Sequence, residues 1–187
     1  MRLKLKKNKL FLTGDIKIGK STVLKRILND PYFNGKVVMG LKTVPILADW
    51  DVLGYQLSSL SGEKAMEFAR VGDQGVEKFN KYSVDSAVFD MLGVELLSDA
   101  MAHADVIVID EVGIMEKNAS VFRNCLKRCL ESERMMIGVF QRRAHWFLEI
   151  IKHRVDIRTL EITLENRGNA HLTVLNWLKN SNIEKIS

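Results

Sequence analysis

Apolar residues follow two rhythms along this chain. Short runs with almost no polar residue, at 10–13, 106–109 and 135–140, are too brief for helices and predict strands buried on both faces. Elsewhere apolar residues recur three and four apart, which predicts helices at 20–28, 84–101, 120–130, 146–151 and 171–178. Asn29-Asp30-Pro31 stops the first helix, Val88, Met91, Leu92 and Leu96 carry the second, and Ser120 stands where a cap would open the third. Further strands are predicted at 36–41, around Val37, Val38 and Met39, and at 157–164, where apolar and polar residues alternate. The stretch 43–62, with Pro45, Gly54 and Gly62, reads as turn-rich around a strand at 55–59. That strand and another at 65–70 would make a small antiparallel extension, and 72–82 reads as loop. Strands alternating with helices predict an α/β fold: a mainly parallel sheet with helices on both faces and ligands at the carboxyl ends of the strands.

Composition narrows this picture. With 187 residues, 47% of them hydrophobic, the chain suits one well-cored domain spanning 1–187. The formal charge of +5 suits anionic ligands, but Arg2, Lys4, Lys6, Lys7 and Lys9 concentrate much of it in a basic segment at 1–9. A solvated terminus is the expectation there, with a nucleic-acid contact as the alternative. No run approaches the length of a membrane span, so a cytoplasmic protein without a membrane partner is expected. Cys125 and Cys129 lie four apart in a predicted helix, which predicts two buried thiols rather than a disulfide, and no Cys-x-x-Cys pair suggests zinc. His103, His145, His153 and His171 are scattered without ligand spacing.

The chemistry concentrates at three strand ends. After the first run, Gly14-Asp15-Ile16-Lys17-Ile18-Gly19-Lys20-Ser21-Thr22 fits the phosphate-binding loop Gly-x-x-x-x-Gly-Lys-Ser/Thr in its strand–loop–helix setting. Glycines let the backbone N–H groups turn toward phosphate oxygens, and the helix that follows presents its positive end to the same anion. Lys20 would reach the β- and γ-phosphates, Ser21 would ligate Mg²⁺ and Thr22 would touch the α-phosphate. The run at 106–109 ends in Asp110-Glu111, the pattern of a Walker B strand, in which Asp110 holds Mg²⁺ and Glu111 polarises water. The run at 135–140 ends in Gln141-Arg142-Arg143, which puts Gln141 where a γ-phosphate sensor stands. Each signal has a plain alternative: a glycine-rich turn, a solvated acidic turn, and the polar residue that ends most strands.

Taken together, the motifs resemble those of the thermostable nucleoside-triphosphatase family. Asp110-Glu111-Val112-Gly113-Ile114-Met115-Glu116 is similar to its Asp-Glu-Ile-Gly-x-Met-Glu element, and Lys81-Tyr82-Ser83-Val84-Asp85 to its Lys-Tyr-x-Val-Asp. Gly54-Tyr55 resembles its Gly-aromatic pair, and Glu161-Ile162-Thr163-Leu164-Glu165-Asn166-Arg167 its Glu-Val-Thr-x-Glu-Asn-Arg stretch. The resemblance implies a RecA-like P-loop fold that hydrolyses ATP, GTP and other nucleoside triphosphates to diphosphate and phosphate, with Mg²⁺ and loose base selectivity. Two departures stand out. Asp15 to Ile18 are bulkier and more charged than the family's usual Pro or Gly, with Lys17 expected to project to solvent. Ahead of Gly54 the family's arginines are replaced by Asp49, Trp50, Asp51, Val52 and Leu53.

The further cation that speeds such reactions could be Arg142, Arg143 or Arg167, of which Arg167 has the best claim and could instead hold the base. A small-molecule or nucleotide kinase uses the same loop and is the runner-up. An NTP-dependent switch on nucleic acid is a third reading, supported by the basic segment alone. A monomer is favoured.

Overall fold

The structure is a computed structural model that describes residues 8–72 and 77–183, with side chains described up to residue 180. Among the described residues nine strands form one sheet: β1 (Lys9–Gly14), β2 (Val38–Ala48), β3 (Asp51–Ser59), β4 (Ala65–Val71), β5 (Glu77–Phe79), β6 (Tyr82–Val84), β7 (Val106–Val112), β8 (Met135–Phe140) and β9 (Ile157–Ile162). Their order is β5-β6-β4-β3-β2-β7-β8-β1-β9. From β2 to β9 every pairing is parallel, and from β2 outward to β5 every pairing is antiparallel. The helices are α1 (Lys20–Leu28), α2 (Val94–His103), α3 (Ser120–Glu131), α4 (His145–Ile151) and α5 (Ala170–Ile183).

The unbroken apolar runs are explained by the two layers they serve. On β7, Ile107 and Ile109 join one core cluster with Leu97 of α2, Leu126 of α3 and Phe147 of α4. Val106 and Val108 join the other with Val23 and Ile27 of α1 and Val174 of α5. A strand buried on both faces has no position for a polar residue, and each buried side chain of this size contributes about 1.5–3 kcal/mol. Gly138 serves the same layer, because a Cβ there would come within 2.5 Å of the Phe11 ring. Phe11 in turn packs edge-on against Phe147 at 5.1 Å between centroids.

Several expectations are corrected. The turn-rich reading of 43–62 gives way to a long hairpin, with β2 running to Ala48 and β3 starting at Asp51. Pro45 is tolerated because β7 accompanies β2 only as far as Lys42, so beyond that point one flank of β2 needs no ladder bond. Of the loop expected at 72–82, residues 73–76 lie outside the described residues, and the rest contains β5 and the start of β6, three-residue strands turned by Asn80 at φ 51° and too short for any alternation to be legible. The helix expected from residue 84 starts later. Val84 belongs to β6, Asp85 Oδ1 accepts from Ala87 N, and a π-helical turn at Phe89–Gly93 precedes α2.

Ser120 does not cap α3 through its side chain; Phe122 N donates instead to Asp90 Oδ1. Lys9 is no part of a solvated terminus: it is buried, with Nζ donating to Ser132 O at 2.7 Å and Arg134 O at 2.9 Å. Arg2, Lys4, Lys6 and Lys7 lie outside the described residues. Cys125 and Cys129 are free, buried thiols. Among the described residues no helix is long and apolar enough to cross a membrane.

Candidate active site

Because β2, β7, β8, β1 and β9 are parallel, their carboxyl ends share one edge of the sheet, and the three candidate segments emerge there together. The loop 14–19 leaves β1 through Gly14 at φ 142°, where a Cβ would sit 2.5 Å from Ile162 O of the neighbouring strand. It re-enters α1 through Gly19 at φ 107°. These left-handed conformations favour glycine, which accounts for the spacing of the two. Asp15, Ile16 and Lys17 are exposed, Ile18 is half-buried, and Lys17 itself takes φ 62° with its side chain at the surface. Lys20 is buried and folds back over the loop, donating to Gly14 O at 3.2 Å and Asp15 O at 2.9 Å.

Facing the loop, Asp110 Oδ1 accepts from Ser21 Oγ at 2.8 Å, and Glu111 Oε2 lies 3.8 Å from Lys20 Nζ. The β7–β8 ladder passes from Asp110 opposite Val139 to Val112 opposite Phe140, so Glu111 is the extra residue of a β-bulge. A bulge re-aims a side chain that regular alternation would send to the opposite face from its neighbour. Gln141 Nε2 donates to Glu111 Oε1, so the carboxylate is held between an amide and a buried ammonium. Asp110 has its pKa raised, chiefly by burial and further by Glu111, while the Ser21 bond and Lys20 oppose the rise.

Ser21 and Asp110 supply the hard oxygen donors that suit Mg²⁺, and Thr22 is exposed beside them at the start of α1. Among the described residues no group of three or more His, Cys, Asp and Glu gathers as a cage. Mg²⁺ is ordinarily held by one or two protein groups together with substrate phosphates and water, which fits this pair.

Comparison with known proteins agrees with this architecture. The sequence signature described as NTPase matches residues 9–175. The chain belongs to the NTPase family. Nucleoside-triphosphatase THEP1 of Thermotoga sp. (strain RQ2) is 28% identical over 177 residues, covering 95% of this chain and 99% of that one. The protein of the same name from Methanocaldococcus jannaschii is 30% identical over 168 residues, covering 90% and 95%. Two solved structures share the fold at 24% identity. The crystal structure of THEP1 from Aquifex aeolicus gives a TM-score of 0.76 over 91% of this chain and 98% of that one. The solution structure of a human cancer-related nucleoside triphosphatase gives 0.77 over 93% and 98%.

In this NTPase the other singled-out residues are spread around the loop. Arg142 does not point to the gap between Lys20 and Glu111. Its guanidinium pairs with Asp15 at 3.2 Å and with Glu161 on β9, which gives the unusual acidic residue of the loop a partner. Arg143 is exposed, and so is Arg167, in the loop after β9 where Asn166 binds Thr163 N and Glu161 O. Gly14 pairs with Ile162, so that loop begins beside the phosphate loop.

Three residues close to the centre escaped the sequence-level choice of site. Glu116 is buried, accepts from Gly113 N at 2.9 Å, and is pushed up to about 7 by burial, with Glu111 adding to the rise. Trp146 Nε1 donates to Gly113 O at 2.8 Å. The family-like motif 110–116 contained Gly113 and Glu116 but gave neither a role, and nothing in the sequence singled out Trp146.

Proposed function

We propose that this protein hydrolyses ATP, GTP and other nucleoside triphosphates to the diphosphate and phosphate, with Mg²⁺ as cofactor. The observation that carries the proposal is the position of Glu111, 3.8 Å from Lys20 and anchored by Gln141 at the mouth of the phosphate loop. The names of the THEP1 relatives support it.

A triphosphate bound by the amides of 14–19 draws Lys20 Nζ from the loop carbonyls to its β- and γ-phosphates, with Thr22 at the α-phosphate. Ser21 and Asp110 would hold Mg²⁺, which would supply positive charge to the phosphate oxygens. Glu111 accepts a hydrogen bond from the attacking water and takes its proton as the new O–P bond forms and the bond to the bridging oxygen breaks. The diphosphate leaves with that oxygen, and the proton on Glu111 passes to the phosphate or to solvent. Lys20 and the loop amides stabilise charge that is already aligned for them, so little reorganisation accompanies the reaction. Gln141 holds Glu111 in place and stands within reach of the γ-phosphate. Arg167 would contribute to the base or sugar end from the loop after β9, which Asn166 and Thr163 hold in place.

The test is phosphate release from ATP, GTP, CTP and UTP, with Mg²⁺ and with chelator, in the presence and absence of nucleoside and nucleoside monophosphate acceptors. Mg²⁺-dependent release from several triphosphates, unchanged by acceptor, supports the proposal. Diphosphate formation that requires an acceptor would identify a kinase instead.

A further inference from the structure

The buried carboxylate of Glu116 has no part in the reaction described above, and an unexplained buried acid calls for a reason. Its carboxylate accepts from Gly113 N, its own backbone N–H also acts to lower its pKa, and the other side of Gly113 is taken by Trp146 Nε1 on Gly113 O. Gly113 is thus gripped at both its N–H and its C=O. Its Cα faces the Gln141 amide so closely that a Cβ would lie 3.0–3.1 Å from Cδ, Oε1 and Nε2. Gln141 N is itself bound to Val112 O at 2.9 Å, and its side chain carries Glu111. A continuous series of contacts therefore runs from Glu116 and Trp146 through Gly113 to Gln141 and ends on Glu111.

We infer that Glu116 is a positioning residue for Glu111: with Trp146 it fixes the Gly113 backbone as the wall against which Gln141 rests, and Gln141 in turn holds Glu111. The inference rests on the proposal that Glu111 activates the attacking water. Glu116 lies off the phosphate loop, and its hydrogen bond goes to Gly113 while Lys20 and Ser21 bond to Gly14, Asp15 and Asp110, so its loss leaves triphosphate binding intact and acts on turnover. Misplacing a reacting group by about 1 Å lowers rates by roughly 100-fold, and the smaller displacement of Gln141 beside an added methyl acts on a fraction of that scale. Gly113 has no positive φ, so alanine there is compatible with the backbone and perturbs only the space that Gln141 fills.

The decisive experiment is a double-mutant cycle on Gly113→Ala and Gln141→Ala, read as kcat and KM for MgATP hydrolysis, with Glu116→Leu, Glu116→Gln and Glu111→Gln measured beside it. Gly113→Ala is expected to lower kcat about 10-fold or more with KM unchanged, and to have no further effect once Gln141 is Ala, because its partner is gone. Glu116→Leu should lower kcat alone, and Glu116→Gln should retain most of it, since the amide oxygen still accepts from Gly113 N. Additive effects of Gly113→Ala and Gln141→Ala, or equal loss in Glu116→Gln and Glu116→Leu, would overturn the inference. If Glu116→Leu does not fold, the Gly113–Gln141 cycle decides. Full turnover in Glu111→Gln would remove the premise about water activation, whereas an inactive Glu111→Gln beside an additive cycle would remove the positioning role alone.

Discussion

Replacing Glu116 by Gln should change how stability depends on pH, by an amount set by burial of the carboxyl. Burial pushes its pKa from 4.5 to about 7, with Glu111 adding to the rise and the Gly113 N–H opposing it. A carboxyl with a raised folded pKa binds its proton more tightly when folded, so the folded state holds more protons than the unfolded state between the two values. Stability therefore falls as pH rises through that window and levels off above about 7. Weighing both protonation equilibria gives a penalty that grows by roughly 2 kcal/mol between about pH 5.5 and about pH 8.5. Glutamine has no charge to bury and lacks this component. Urea unfolding of the nucleotide-free protein and of Glu116→Gln at the two pH values measures it directly. The difference between the proteins should move by about 2 kcal/mol in favour of the variant on going to the higher pH. A difference that stays constant would refute the assignment of a buried, proton-holding carboxyl.

Other outcomes follow from the same geometry. Lys20→Ala should abolish MgATP binding in calorimetry, and tight binding by that variant would contradict the phosphate-loop assignment. Gly138→Ala forces a methyl to within 2.5 Å of the fully buried Phe11 ring, and overpacking of this kind should lower stability by about 1–3 kcal/mol in urea unfolding. Arg142→Ala should shift stability by less than about 1 kcal/mol, because its ion pairs with Asp15 and Glu161 are solvent-exposed; a larger loss in thermal or urea unfolding would show that these pairs hold β9 to the loop.

Legibility in the sequence divides along physical lines. The parallel half of the sheet was readable because β1, β7 and β8 are buried on both faces and the chain writes that as unbroken apolar runs. The antiparallel half was readable in part: the strands expected at 55–59 and 65–70 are β3 and β4, paired antiparallel, but the long β2–β3 hairpin and the outer strands were missed. Pro45 and Gly54 normally mark turns, yet Pro45 sits where β2 has lost β7. Gly54 sits where a side chain would strike Ala69 O at 2.2 Å. β5 and β6 are too short to show any period.

In the site, the motifs placed the phosphate loop, Asp110, Glu111 and Gln141 at one edge. They had no means of showing that Glu111 occupies a bulge, because the register that creates it belongs to the pairing with β8. The Asp15–Arg142 pair and the grip of Glu116 and Trp146 on Gly113 join residues distant along the chain, which local spacing does not encode.

The central claim is that Glu111, held between Lys20 and Gln141, activates the water that attacks the γ-phosphate. Glu111→Gln preserves shape and removes the base, so MgATP affinity and single-turnover phosphate release in this variant and in the wild-type protein test the claim most directly. Unchanged affinity with release slowed by roughly 100- to 10,000-fold is the predicted result. Release at the wild-type rate from a variant that still binds MgATP would contradict it.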